Sequence, residues 1–176
     1  MFLRSFVLPL SVLLLFTSCA GYHLGPVKPT PMRSVERLSV SAFKNDTLEP
    51  RLEVLMANAL LKQLHQDGTY RITAERDAQV LVDGTALRVE RTPARSAKSD
   101  YYQTSEFILS LVARVRATDK ASGKILLDRE IAGNSTFFVS GKNLRIADVN
   151  RDERQALPLA AQDLATQITS YLSEGW

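Results

Sequence analysis

Few residues of this chain are placed to do chemistry. It holds two histidines and one cysteine among 176 residues, with 19 acidic and 22 basic side chains. His23 stands in a proline-rich stretch with no other ligand type close by in sequence, and His65 stands at the end of an apolar-periodic segment. Neither is set up as the base of a Ser-His-Asp site, which needs an imidazole held inside a cleft. Carboxylate pairs can be assembled from any 19 acidic residues, so they carry no signal of their own. There is no glycine-rich phosphate loop and no dinucleotide fingerprint. One cysteine excludes an internal disulfide and a multi-cysteine metal site. The expectation is a non-enzymatic protein without cofactor or bound metal.

The cysteine has a telling context. Arg4 opens a short basic start, Phe6-Val7-Leu8 and Val12 to Phe16 form an apolar run broken by Pro9, and Thr17-Ser18 precede Cys19. This is the layout of a secretory signal, too short and too interrupted for a membrane-spanning helix. Cys19 after two small residues resembles a bacterial lipobox, with Phe16 where leucine is usual. Residues 1–18 then read as a signal peptide and Cys19 as the first mature residue. Its thiol would be thioether-linked to diacylglycerol, and the new amino terminus acylated. Several acyl chains at about 0.8 kcal/mol per buried methylene make a firm anchor. Ala20 follows, rather than the aspartate of an inner-membrane retention signal, which points to the outer membrane and its periplasmic side.

A second feature is cationic. Arg88, Arg91, Arg95 and Lys98 cluster at the end of one strand pattern, and Lys142, Arg145, Arg151 and Arg154 follow another. In an antiparallel meander both clusters fall at one end of the sheet. Guanidinium groups gathered there can grip lipid phosphates by paired hydrogen bonds. Solvated loop charge is the plainer reading. Only Tyr101 and Tyr102 stand nearby to stack on bases, and the formal charge of +3 falls to +2 once Arg4 is removed, so nucleic acid is not an expected partner.

The elements that position these residues follow from periodicity. Residues 19–34 hold Pro26, Pro29 and Pro31 and read as an extended linker, leaving 35–176 as one domain. Leu38, Val40 and Ala42 alternate with polar residues as a strand. Leu52, Leu55, Met56, Ala59, Leu60 and Leu64 recur at helical spacing, so a helix is expected from about 49 to 66. Asp46 with Glu49 has capping-box spacing, Pro50 suits the first turn, and Asp67-Gly68 stops the helix. Gln79 to Arg91, Tyr101 to Thr118 and Ile125 to about Val139 read as three strands, with Gly84 a candidate bulge in the first. Phe107, Leu109, Leu111, Ala113, Val115 and Ala117 share one face of the second. Asp152 with Gln155 has capping spacing for a final helix, with Pro158 tolerated only near its start. Leu157, Ala161, Leu164, Ala165, Ile168, Tyr171 and Leu172 form that helix's apolar stripe. The order β-α-β-β-β-α predicts an α+β fold, with two helices on one face of a four-stranded mixed sheet.

Several stretches resemble one family. Cys19-Ala20-Gly21-Tyr22-His23-Leu24 is similar to the mature start of LptE-type lipopolysaccharide-assembly lipoproteins, and Phe43 to Glu53 is similar to their F-x-N-x-T-x-E-P-x-L-E segment. Ala78 to Gly84, Ser122 to Leu126 and the alanine-rich final helix follow in order. The resemblance implies the same two-helix, four-strand arrangement. It also implies a plug and assembly partner inside the LptD β-barrel, aiding lipopolysaccharide transport to the cell surface, with lipopolysaccharide bound by basic residues. A periplasm-facing lipoprotein adaptor that activates a peptidoglycan synthase is the alternative class. A periplasmic hydrolase would need a clustered acid-base pair, which the sequence does not offer.

Overall fold

A computed structural model of the chain describes residues 28–95, 104–140 and 146–174. The predicted signal segment, Cys19 and most of the linker lie outside them. Strand β1 (Arg37–Val40) and the short β2 (Lys44–Asn45) lead into helix α1 (Leu52–Asp67). The two-residue β3 (Arg71–Ile72) follows, then three long strands, β4 (Val80–Arg95), β5 (Thr104–Asp119) and β6 (Ile125–Ser140). Helix α2 (Ile146–Ser173) closes the order.

The sheet has six strands where the sequence predicts four. Its order is β3-β1-β4-β5-β6, with β2 also paired to β4. The four expected strands are β1, β4, β5 and β6. The additional β2 and β3 hold two residues each, too short to carry an alternating apolar signature. Pairing is parallel among β1, β2, β3 and β4, and antiparallel through the β4-β5-β6 meander.

One face of this sheet is the core face. Leu109, Leu111, Ala113, Val115 and Ala117 of β5 are buried there, as their alternation requires. They form one cluster with Leu52, Met56, Leu60 and Leu64 of α1 and with Ala161, Leu164, Ile168 and Leu172 of α2. Both helices therefore cover the same face, and both predicted stripes are core. After α1, the buried Tyr70 hydroxyl donates to the Leu172 carbonyl and ties the end of α2 to this layer. Burial, followed by the charge of Asp67, pushes the Tyr70 pKa upward.

Three local expectations are corrected. Helix α1 starts at Leu52, not about 49, and Asp46 with Glu49 makes no capping box: Arg51 is the cap, in the left-handed region at φ 64°, without a side-chain cap bond. Gly84 does not break β4. It pairs in register with Val115, and a Cβ there would overlap the Phe43 ring, so the glycine makes room for an aromatic side chain. The irregularities lie between Ala86 and Arg88, where Leu87 is an extra residue, and between Pro93 and Arg95. Helix α2 begins at Ile146, so Pro158 lies inside it rather than in its first turn. The proline ring has no N–H to offer the carbonyl four residues before it. Packing against β5 and β6 holds the helix through this defect.

The tightest part of that packing is Gly133 of β6. A Cβ at this position would overlap the Ala160 carbonyl and the Leu164 backbone nitrogen, so helix and strand meet backbone to backbone. Gly133→Ala is expected to destabilise the domain by about 2–3 kcal/mol through overpacking, read as a lowered midpoint in urea unfolding.

Candidate functional site

The meander brings together the attachment points of both basic clusters. Arg95 pairs with Glu106 and Thr104 with Ser140, so the exit of β4, the entry of β5 and the exit of β6 share one end of the sheet. Arg88 and Arg91 are described in full. The side chains of Arg95 and Arg151 lie outside the described set, as do Lys98, Lys142 and Arg145 entirely, and Arg154 is exposed on α2.

The bulge at Leu87 separates the two arginines. Before it, Val80, Val82, Gly84 and Ala86 face the helices. After it the parity shifts: Val89 and Arg91 pair with Leu111 and Leu109 on the core face, while Arg88 and Glu90 pair with Val112 and Ser110 on the open face. Arg88 Nε donates to Glu90 Oε1 at 2.6 Å, and its Nη1 lies 3.4 Å from Glu130 Oε2. Beside it, Arg114 grips Asp128 with two bonds, at 2.7 and 3.1 Å, and Arg116 reaches the same carboxylate at 3.4 Å. Three guanidinium groups and three carboxylates thus form a neutral ladder on the open face. The carboxylate bonds raise the Arg88 and Arg114 pKa values, and the Arg114 bond holds the Asp128 carboxyl below its usual range. Arg91 turns the other way, its Nη2 3.1 Å from Glu49 Oε1.

Glu49 belongs to the loop between β2 and α1, where the sequence predicts the first turn of the helix. Asn45 organises it. Its Oδ1 accepts from the Thr47 N–H at 3.0 Å and the Thr47 hydroxyl at 2.7 Å. Its Nδ2 donates to the Glu49 carbonyl at 2.7 Å and to Glu53 Oε2 at 3.1 Å. The Glu49 N–H returns to the Thr47 hydroxyl at 3.2 Å. The asparagine, threonine and both glutamates of this segment therefore build the turn that a capping box was expected to make, and Leu48 is left fully exposed at its tip.

Two exposed apolar residues escaped the sequence reading. Phe138 of β6 and Leu159 of α2 are 55% and 53% exposed and line one shallow cavity. Their signals were present: Phe138 falls on the non-core parity of its strand, and Leu159 falls off the apolar stripe of its helix. Among the described residues no group of three His, Cys, Asp or Glu side chains is placed to hold a metal, and no helix is long and apolar enough to cross a membrane.

These features define a two-layer α+β domain whose exposed chemistry lies on a sheet face, a strand edge and one sheet end. The chain belongs to the LptE lipopolysaccharide-assembly family, whose model matches residues 35–172. That family comprises non-enzymatic outer-membrane lipoproteins. Among solved structures, a protein from Xanthomonas campestris is similar at a TM-score of 0.52 and 11% identity, covering 81% of this chain and 86% of that one. A putative neuraminyllactose-binding hemagglutinin homolog from Helicobacter pylori is similar at 0.50 and 14%, covering 86% and 91%. A minor lipoprotein from Acinetobacter baumannii is similar at 0.49 and 21%, covering 79% and 93%. Comparison with curated proteins gives no match.

Asn45→Ala removes the acceptor of Thr47 and the donor to Glu49 and Glu53 together. It is expected to lower stability by about 1–3 kcal/mol and to speed amide exchange in residues 46–51 ahead of the core strands, measured by hydrogen–deuterium exchange.

Proposed function

We propose that this protein is a lipid-anchored component of the outer membrane that plugs and helps assemble an LptD-type β-barrel for lipopolysaccharide transport. The observation that carries this reading is the family match across residues 35–172, which takes in every strand, both helices but the last residue of α2, and the Asn45 loop. The mechanism is complementarity. A close-packed two-layer body resists deformation and can fill a lumen as a rigid unit. Cys19 carries the lipid, and residues 19–27 span from the bilayer to the domain; the expected linker is shorter than 19–34, because Lys28 bonds to the Val35 carbonyl and Met32 is buried in the core. In this reading the basic residues of the segments that leave the exits of β4 and β6 (Arg88, Arg91, Arg95, Lys98, Lys142, Arg145 and Arg151) bind lipid phosphates, which planar guanidinium groups hold by paired hydrogen bonds.

Affinity capture of the full-length protein from detergent-solubilised outer membrane is expected to recover a large β-barrel. Recovery of a periplasmic synthase and no barrel would sink the plug reading in favour of an adaptor. For the cationic end, the combined Arg91, Arg95, Arg145 and Arg151 to Ala variant is expected to bind lipopolysaccharide about tenfold or more weakly, at low and moderate salt alike. Unchanged affinity would leave these residues as solvated loop charge.

A further inference from the structure

We propose that the groove between the outer end of β6 and helix α2 receives an extended apolar segment of the barrel partner, added as one more strand to the sheet. This rests on the plug reading and deepens it by naming a contact.

The backbone of β6 sets the geometry. On β4, the Val82 and Ala86 carbonyls accept from Ser41 and Asp46 at 2.8 and 3.0 Å, so those residues turn away from β5. Carried across the paired registers, this parity turns the even-numbered residues of β6 away from β5 as well. The Asn134 N–H confirms it, since it points off the sheet to Asp163 Oδ2 at 2.8 Å. The register then runs without a break from Asn134 to Phe138. The main-chain N–H and C=O groups of Thr136 and Phe138 therefore face outward too, on the strand that ends the sheet among the described residues.

Edge strands are normally guarded by charge, proline or a bulge. The first half of β6 is guarded: Asp128, Arg129 and Glu130 are charged, and Asp163 caps Asn134. The second half is not. Residues 135–140 read Ser-Thr-Phe-Phe-Val-Ser, with high strand propensity, no charge and no proline. An edge of this kind is a liability unless something covers it.

The walls say what covers it. Thr136, Phe137, Phe138, Gln155, Ala156 and Leu159 line a cavity of about 240 Å³. That is below the roughly 300–1,000 Å³ of small-molecule sites and suits one or two side chains. A lipid tail would leave the outward N–H groups unpaired, whereas an added strand pairs them. Phe138 projects on the open face and Leu159 comes from the helix layer, so successive side chains of the incoming strand meet apolar surface on alternate sides. The occupant is therefore apolar on both faces, and the Asp163 cap at Asn134 fixes where its pairing stops.

The test uses the full-length lipidated protein in cells, with a benzoylphenylalanine cross-linker at Thr136 or Gln155 and a control at the distant, half-exposed Ile125. Cross-links from Thr136 and Gln155 are expected to map by mass spectrometry to one short stretch of the barrel, and those from Ile125 not to map there. Thr136→Pro removes an outward N–H without touching the β5 pairing, and is expected to cut barrel recovery at least fivefold. Phe138→Asp is expected to do the same, with unfolding midpoints of both variants near wild type. Wild-type recovery by both variants, or cross-links that map to a second copy of this chain or to lipopolysaccharide, overturns the inference while the plug reading stands. A wild-type protein that captures no barrel overturns both.

Discussion

The contact between α2 and β6 at Gly133 is the constraint from which most of the structure follows. No side chain separates helix from strand there, and Ala156, Ala160, Ala161 and Ala165 are all buried along the same helix. Small residues on both partners let the backbones approach, and that approach fixes the height and angle of the helix along the whole edge of the sheet. At this height the Ser135 hydroxyl donates to the Ala156 carbonyl at 2.9 Å, two residues before Pro158. Asp163 reaches the edge N–H of Asn134, and Arg129 lies over the Tyr171 ring at 5.0 Å. A helix held further out by a larger residue at 133 would lose these contacts together.

The extra residue at Leu87 is the second constraint, and it acts through parity. A strand of 16 residues with unbroken alternation would send Val89 to solvent and Arg88 into the core. The bulge exchanges them. Val89 continues the buried face, and Arg88 joins Glu90, Glu130 and the Arg114–Asp128 pair outside. The same shift aims Arg91 at Glu49, which joins β4 to the Asn45 loop. One inserted residue thus decides which arginine of the cluster belongs to the open face and which to the loop.

The sequence was most legible where burial is one-sided and long. The stripes of both helices and the alternation of β5 were readable because many residues repeat one period, and Gly68 marked the end of α1 because only its left-handed conformation was needed there. Short or compensated features were not readable. A two-residue strand has no period. Asp46 and Glu49 have the spacing of a capping box, but the bonds are made by Asn45, one residue earlier, because its amide can donate and accept at once. Pro158 looked like a helix start, since an isolated helix would break there; tertiary packing on Gly133 overrides that preference. The meander placed the exits of β4 and β6, from which both basic segments leave, at one sheet end as expected. It could not show that Arg88 and Arg91 diverge, because parity after a bulge depends on a residue count that composition does not reveal.

The balance of charge on the open face bears on how such a body could work inside another protein. Exposed ion pairs contribute about 0–1 kcal/mol each, so the ladder of Arg88, Glu90, Arg114, Arg116, Asp128 and Glu130 is a poor source of stability. Its effect is on the surface. A sheet covered by helices on one side only exposes the other, and Val112, buried on that face, lies among these long side chains. Paired charges keep such a face hydrated and, being neutral together, give it little pull on anionic lipid or on a partner of either sign. Among the described residues, the places the ladder does not reach include the sheet end where the basic segments attach, the exposed Leu48 tip of the Asn45 loop, and the uncharged outer edge of β6. A body built this way can sit beside a wetted wall without sticking to it, and make its specific contacts at its rim.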